Sequence, residues 1–172
     1  MTVSTMLSLL SQGFVTSLLI FALTLLFSMP LGLAVMFGRR SRLTPLRGFI
    51  KAYISIMRGT PLMLQLMVVF YGPKLLLGVT VPGNWRFTAV IVAFVINYAA
   101  YFAEIYRGGI ESIPVGQYEA ANVLGYTRAQ TFLRIILPQV VKRIMPSITN
   151  EVVTLVKDTS MAFTVSYQEM FT

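Results

Sequence analysis

The sequence predicts an all-α membrane protein with several spans, and three observations support this prediction. Charged residues make up 12% of the 172 residues, whereas a soluble globular chain carries about 25%. Hydrophobic residues reach 56%, and the mean hydropathy is +0.74. The apolar residues gather in four runs near the length of about 20 residues that a helix needs to cross a bilayer. We therefore expect a single transmembrane domain covering residues 1–172.

The first two runs differ in how regular they are. Run one, 14–37, contains no charged residue and is the clearest span. Run two, 49–77, is broken near 58–61, because Pro61 disfavours helical geometry at the residue before it. Thr60 is predicted to cap a helix that restarts at Pro61. This leaves a kink or a short re-entrant break at membrane depth.

The third run, 88–106, and the fourth, 144–166, each carry a polar stripe. The stripe residues are Asn97, Tyr101 and Glu104 in the third run, and Glu151, Thr154 and Asp158 in the fourth. Side chains spaced by three and four residues share one face of a helix. An ionised side chain at the bilayer centre costs about 2.5 to 3.5 kcal/mol on the insertion scale. Both stripes are therefore expected to face a cavity or another helix rather than lipid.

The number of lysine and arginine residues alternates between low and high in successive segments outside the predicted spans. There are none in residues 1–13, five in 39–51, two in 74–86 and five in 107–143. Because cytoplasmic loops carry the excess of positive charge, the two clusters of five belong inside. The N-terminus is thus predicted to lie outside, and after four spans residue 172 would lie outside too.

The residue inventory excludes several kinds of chemistry. The chain has no cysteine and no histidine, which removes the common zinc sites, haem ligation by either residue, thiol nucleophiles and Ser-His-Asp arrangements. It has no GxxxxGK[ST] phosphate-binding loop, so any ATP must be bound by a partner. The net charge is +8, but the basic residues lie between apolar runs of membrane-spanning length. Nucleic acid is therefore not an expected partner, because nucleic-acid-binding domains cluster their basic residues on one soluble face. We expect no metal, no cofactor and no catalytic residue.

The segment between the third and fourth runs, 107–138, is too long for a turn and is predicted to form two short helices. The first covers about 117–124 and ends at Gly125, a residue suited to a left-handed cap. The second begins with a capping box led by Thr127, and Pro138 follows it. On this local chemistry alone, a simple amphipathic surface loop is the alternative.

The same segment carries a family motif. The residues Glu119-Ala120-Ala121, Gly125, Ile135 and Leu137-Pro138 reproduce the EAAxxxG(x)9IxLP signature of the membrane subunits of ATP-binding-cassette (ABC) importers. Four further stretches resemble the polar amino acid branch of that family, the histidine, glutamine, arginine and cystine type: Arg58-Gly59-Thr60-Pro61, Tyr101 to Ile110, Gly116-Gln117-x-Glu119 and Lys157-Asp158-Thr159-Ser160. The resemblance covers essentially the whole chain.

The resemblance implies a type I ABC importer permease with a MetI-like helical bundle, multi-pass in the bacterial cytoplasmic (inner) membrane. It implies the permease subunit of an ATP-driven amino acid importer, which forms the translocation path and catalyses no bond cleavage. The implied partners are cytoplasmic ABC ATPase subunits, a second permease copy or paralogue, an extracytoplasmic amino acid-binding protein and the amino acid itself. The residues implied to couple to the ATPase are Glu119, Ala120, Ala121, Gly125, Leu137 and Pro138.

The polar stripes supply candidates for contact with the substrate. An amino acid needs an anionic group for its ammonium and a cation or a helix N-terminus for its carboxylate. The candidate path residues are Arg58, Asn97, Tyr101, Glu104, Glu151 and Asp158, together with the helix start at Pro61. The alternative is structural: Lys157-Asp158-Thr159-Ser160 breaks the helix, and Glu104 pairs with Arg107.

One departure from the family concerns the number of spans. Members of this branch usually carry five, whereas four are present here, so residues 167–172 are expected to approach a fifth span that the sequence lacks. Two alternatives follow: a truncated, non-transporting fragment, and an ATP-independent channel or carrier. Elsewhere, Arg39 to Arg42 is expected to anchor the chain at the headgroups, and Gly32 to allow close helix approach.

Overall fold

The structure is a computed structural model that describes residues 3–78 and 85–163. In those two stretches all regular elements are helices, which confirms the predicted all-α fold. They are α1 (Val3–Arg39), α2 (Thr44–Gly59), α3 (Leu62–Leu77), α4 (Trp85–Glu111), α5 (Val115–Val123), α6 (Arg128–Gln130), a π turn (Thr131–Ile136) and α7 (Leu137–Asp158). The end of the predicted fourth run and the approach to a fifth span fall in 164–172, outside the described residues.

Helices α1 and α4 make the most extensive contact of any two elements and form the centre of the bundle. Gly32 lies against Phe102, where an added Cβ would be 2.8 Å from the Phe102 Cβ. The predicted close approach at this glycine is therefore confirmed. Further along both helices Arg39 bonds to Glu104, so α1 and α4 run in the same direction. The chain returns between them through α2 and α3.

The second run forms two helices that are bent by 111° at the break. Thr60 does not cap α3, so that prediction is wrong. Its backbone is extended, at φ −120° and ψ 147°, and its hydroxyl donates backwards to the Ile56 carbonyl at 2.8 Å. Pro61 holds the N-cap position instead, and its carbonyl accepts from the backbone N–H of Leu64 and Gln65. The hydroxyl thus completes the end of α2 rather than the start of α3.

Helix α3 then runs antiparallel to the first half of α4. Gln65 bonds to Asn97, and further along α3 the Phe70 carbonyl accepts from Trp85 Nε1 at 3.0 Å. This pairing places the start of α3 beside the middle of α4. The bend therefore lies beside the middle of α4, next to the polar stripe of the third run, although residues 58–61 themselves are exposed.

Two local predictions for the segment that follows α4 are confirmed, the left-handed Gly125 and the capping box at Thr127. Gly125 has φ +78°, which is the left-handed conformation expected at the end of α5. The capping box is present as well, since Thr127 N–H donates to Gln130 Oε1 at 2.9 Å and Gln130 N–H to Thr127 Oγ1 at 3.3 Å. The Gly125 turn therefore sets the direction in which the chain enters the second helix.

The second helix is not short, and the prediction that it ends before Pro138 is wrong. The chain stays helical from Arg128 through the π turn and α7 to Asp158. Inside an α-helix a proline ring clashes with the carbonyl four residues back. Here Leu137 N–H bonds to the Phe132 carbonyl, five residues back. This wider turn accommodates the ring of Pro138, so the helix continues.

By length and composition, α1 and α4 can each cross a membrane, and the bent α2–α3 pair adds up to one more span. Helix α7 begins at Leu137 rather than at residue 144 and packs against α4. Among the described helices it falls outside that group, since its sequence includes Lys142, Arg143, Glu151, Lys157 and Asp158 among its apolar residues. A fourth span at this position stays a prediction.

Candidate functional site

The polar stripes of α4 and α7 face each other across two adjoining cavities. The larger cavity, about 560 Å³, includes Arg58, Tyr101, Glu104, Arg107, Arg143 and Glu151 in its wall. The smaller cavity, about 150 Å³, includes Thr60, Asn97, Tyr98, Tyr101, Glu151, Thr154 and Asp158. Tyr101 and Glu151 line both. The structure therefore gathers all six candidate path residues around two cavities that share Tyr101 and Glu151 as wall residues.

Glu104 lies in the larger cavity and is surrounded by arginines. Arg107 donates to its Oε2 from Nε at 3.1 Å and from Nη2 at 2.8 Å. Arg39 pairs with its Oε1, and Arg58 Nη1 lies 3.8 Å from Oε2. The Glu104 side chain is only 13% exposed, so these cations compensate a charge that is largely removed from solvent. The pairing with Arg107 agrees with the structural alternative for this residue.

Arg39 pairs with Glu104 inside the bundle, and an anchoring role for Arg39 to Arg42 at the headgroups stays a prediction. Because α1 and α4 run in parallel, the end of α1 delivers Arg39 to the carboxylate of Glu104. Its side chain is 23% exposed.

Arg58 is more open than the other two arginines. Its side chain is 45% exposed, compared with 27% for Arg107. Its guanidinium carbon lies 5.3 Å from the centroid of the Tyr101 ring, in cation–π range. Arg58 is thus held above an aromatic face at the cavity wall while part of its hydrogen-bonding surface stays available.

Asp158 lies in the smaller cavity and accepts a hydrogen bond from Tyr98. The distance from Tyr98 Oη to Asp158 Oδ2 is 2.7 Å, and Tyr98 is only 2% exposed. Helix α7 ends at Asp158, as the structural alternative has it, yet the carboxylate still reaches the cavity. Sequence reasoning missed Tyr98; the available signal was a hydroxyl three residues before Tyr101.

Asn97 has a different environment from the other candidates. It is 4% exposed, and its Nδ2 donates to the Met57 carbonyl at 3.1 Å and to Gln65 Oε1 at 2.9 Å. Its donors are therefore used by the bend between α2 and α3. Gln65 is a second residue that sequence reasoning missed, although it is a polar interruption of an apolar run.

The residues of the EAA motif differ in exposure. Glu119 and Ala120 are exposed on α5, whereas Ala121 is 1% exposed and packs where α5 meets the π turn. Val123 and Leu124 are 87% and 72% exposed at the end of α5. Such an apolar end next to a free carboxylate is typical of a docking surface. Ala121 contributes its small size to the interior of the segment.

Gly125 and the Leu137-Pro138 pair complete the motif from different positions. Gly125 makes the turn after α5, where Tyr126 N–H donates to the Ala121 carbonyl at 3.1 Å. Leu137 and Pro138 lie in the first turn of α7. In the same turn, Gln139 Nε2 donates to Gln117 Oε1 at 3.0 Å. This bond between two neighbours of the motif residues joins α5 to the start of α7.

Comparisons with known proteins agree with this geometry. Residues 28–170 match the family described as the inner membrane component of binding-protein-dependent transport systems. The L-cystine transport system permease protein TcyB of Bacillus subtilis (strain 168) is 37% identical over 163 residues, which cover 94% of this chain and 68% of that protein. The arginine transport system permease protein ArtQ of the same organism is 37% identical over 150 residues, which cover 87% and 67%.

Solved structures give the same result for the fold. A crystal structure of an amino acid ABC transporter with histidines is 32% identical, has a TM-score of 0.81, and is matched over 96% of this chain and 78% of that one. The MetNI methionine ABC transporter is 20% identical with a TM-score of 0.64, over 96% and 77%. This second match supports the fold alone.

The helical bundle and the exposed EAA motif, which turns at Gly125, are the features of a membrane permease component. The chain belongs to the family of inner membrane components of binding-protein-dependent transport systems, the permease subunits of ABC importers, in its amino acid branch. The predicted MetI-like fold and the family resemblance are thereby confirmed. The chain spans about two thirds of the length of the curated relatives it matches.

Proposed function

We propose that this chain is the membrane-spanning subunit of an ATP-driven amino acid importer and couples its translocation path to a cytoplasmic ATPase. The observation that carries this proposal is the exposure of α5. The helix presents Glu119, Val123 and Leu124 beyond the bundle, while Ala121 holds it against the rest of the segment. An uncovered apolar end next to a carboxylate suits a groove with a basic group in the partner's surface.

The connection from α5 to the cavities is short. Helix α5 contacts the π turn, which continues directly into α7, and Gln117 bonds to Gln139 of α7. A displacement of α5 is thereby transmitted along α7 to Glu151 and Asp158 in the cavity walls. ATP binding and hydrolysis in the partner supply the work, and this chain moves as a mechanical element.

The cavities provide groups of both signs for an amino acid. Arg58 is the cation for its carboxylate, and Glu151 and Asp158 are the anions for its ammonium or a basic side chain. Tyr101 lines both cavities between these groups. Glu104 and Asn97, whose polar atoms are engaged within the bundle, support the wall rather than contact the substrate.

The orientation and the partners follow from the same arrangement. Helices α1 and α4 run in parallel and end at arginines 39, 40 and 107, the side from which α5 projects. The positive-inside rule places this end in the cytoplasm and the N-terminus outside. The family implies an ATPase and a binding protein; we add a second permease chain that completes the path.

Affinity purification of the tagged chain from its native membranes tests the coupling. The wild-type chain is expected to retain a P-loop ATPase, and Gly125→Val to lose it, because a β-branched residue does not adopt φ +78°. The matched control is Gly116→Ala in the same segment, where an added Cβ meets no atom within 4 Å. Equal ATPase retention by both variants would contradict the docking role of α5.

Uptake by membrane vesicles tests the energy source. Vesicles with the purified complex are expected to accumulate a labelled amino acid only when ATP and the binding protein are present. Flux through the chain alone, without the ATPase, would identify an ATP-independent carrier instead. Absence of flux together with absence of a bound ATPase would identify a non-transporting fragment.

A further inference from the structure

The break between α2 and α3 leaves a backbone acceptor without its helical donor. In a continuous helix the Met57 carbonyl would accept from the residue four positions on, but this is Pro61, which has no N–H. The Thr60 carbonyl faces the same break. Such groups need another partner wherever the chain crosses a membrane, because lipid offers no hydrogen-bond donors.

Two side-chain amides supply those partners. Gln65 Nε2, on the first turn of α3, lies 3.0 Å from the Met57 carbonyl, 3.0 Å from the Thr60 carbonyl and 2.8 Å from Thr60 Oγ1. Asn97 Nδ2, on α4, lies 3.1 Å from the Met57 carbonyl and 2.9 Å from Gln65 Oε1. The two amides thus bond to each other and to both sides of the break.

We infer that Gln65 and Asn97 form a clasp that fixes the 111° bend and so positions Arg58 and the start of α3 for transport. Arg58 follows the clasped Met57 directly, and Thr60 and Leu62 on the other side line the smaller cavity. Both amides are positioning residues, because their donors are used within the fold. This inference rests on the proposed transport path.

The arrangement explains why Arg58 reaches its place over Tyr101. Without the clasp, the end of α2 is free to straighten or to fray, because the Met57 carbonyl would have no hydrogen-bond donor at the point where the helix stops. The 5.3 Å distance between the guanidinium and the ring depends on the direction of the last turn of α2. A loosened bend would therefore move the cation away from the cavity wall.

A distance measurement tests the clasp itself. The chain has no cysteine, so Ile56→Cys and Val68→Cys, at exposed positions of α2 and α3, accept nitroxide labels selectively. We expect one narrow distance distribution in the labelled but otherwise wild-type complex, and a broad one after Gln65→Met or Asn97→Leu. The control is Asn150→Leu, at an exposed position of α7, which should leave the distribution narrow.

Folding of each variant is checked with the single tryptophan. Trp85 Nε1 donates to the Phe70 carbonyl on α3, so its emission reports on packing of α3 against α4. Gln65→Met is nearly isosteric and keeps this packing, whereas Asn97→Leu changes shape as well. An unchanged distance distribution in a folded Gln65→Met variant would overturn the clasp.

Amino acid uptake tests the positioning role. Loss of one clasp hydrogen bond is expected to raise the apparent KM about tenfold, while the amount of co-purified ATPase stays at the wild-type level. A broadened bend with an unchanged KM would overturn the positioning role and leave only a structural one. If the wild-type complex transports no amino acid, the proposed function fails, and the distance measurement still decides on the clasp.

Discussion

The carboxylates at the two ends of this pair of cavities lie in different environments. At one end Glu104 is bonded to Arg39 and Arg107 and approached by Arg58. Neither Asp158 at the other end nor Glu151, which lines both cavities, forms an ion pair within the described stretches, and there Asp158 accepts a hydrogen bond from the Tyr98 hydroxyl. A compensated carboxylate holds helices together, whereas an uncompensated one is available to a cation that enters.

This difference distinguishes a structural carboxylate, Glu104, from a candidate for substrate contact, Asp158. The sequence alone did not distinguish the two. All of these carboxylates sit in apolar runs, and each is expensive to bury. Only their surroundings distinguish them. The charge of Glu104 is compensated by arginines of α1, α2 and α4. We call this cluster the joint, because it connects three helices through one carboxylate. The end at Asp158 is the better candidate for substrate contact.

The largest expected effect comes from breaking the joint. Glu104→Gln removes the anion that Arg39 contacts in a site that is 13% exposed, and leaves Arg107 with Glu111 alone. Loss of one partner of a buried ion pair costs about 3 to 5 kcal/mol, so we expect a clear fall in the thermal unfolding midpoint, followed by Trp85 fluorescence in detergent. Glu111→Gln is the matched control, since Glu111 is 57% exposed and its pair is worth less than about 1 kcal/mol.

Equal destabilisation by Glu104→Gln and Glu111→Gln would show that the arginines around Glu104 find other partners. The joint would then not be specific to this carboxylate. The distinction between the two ends of the cavities would have to rest on Asp158 alone.

The next largest effect is expected on transport. Asp158→Asn removes the negative charge but keeps an oxygen that accepts from Tyr98, so the fold should persist. If Asp158 binds a cationic group of the substrate, uptake should fall about 10- to 100-fold, the equivalent of one charged hydrogen bond. The measurement is ATP-dependent uptake at equal amounts of membrane-inserted protein. Wild-type uptake with unchanged substrate preference would remove Asp158 from the path.

Arg58 lies near Glu104 and over Tyr101, a residue that lines both cavities, so its substitution sharpens the comparison. Its side chain is 45% exposed and its distance to Glu104 is 3.8 Å, so its ion pair should contribute less than about 1 kcal/mol to stability. Arg58→Gln is therefore expected to leave the unfolding midpoint nearly unchanged while uptake falls about tenfold. Arg107→Gln should show the reverse order of effects, because Arg107 makes two close bonds to Glu104. A similar profile for both variants would contradict the division of roles.

The parts of the fold that could be predicted depend on local signals. Apolar runs, the proline at the break, the left-handed glycine after α5 and the capping box at Thr127 each involve neighbouring residues. Pro138 shows the limit of such rules, since a π turn accommodates it. The family motif led to the proposal that α5 is the docking segment, but it did not reveal that Ala120 and Ala121 differ in burial.

The contacts that define the site could not be predicted in this way. The bond from Arg39 to Glu104 joins residues 65 positions apart. The bond from Tyr98 to Asp158 spans 60 positions, and the one from Asn97 to Gln65 spans 32. Spacing within one helix indicates which residues share a face, but the facing element is set by tertiary packing. The partners of Tyr98 and Gln65 are therefore known only once the helices are packed together.

The smallest expected effect concerns the hydroxyl that holds Asp158. Tyr98→Phe removes a 2.7 Å hydrogen bond to the carboxylate and keeps the ring, which packs between Phe94 and Phe102. We expect a loss of about 1 kcal/mol in unfolding free energy, with a smaller fall in uptake than for Asp158→Asn. If uptake falls as far as in Asp158→Asn, the hydroxyl orients the carboxylate for the substrate. If stability falls by more than about 3 kcal/mol, Asp158 belongs to a structural joint like that of Glu104, and the contrast between the two ends disappears.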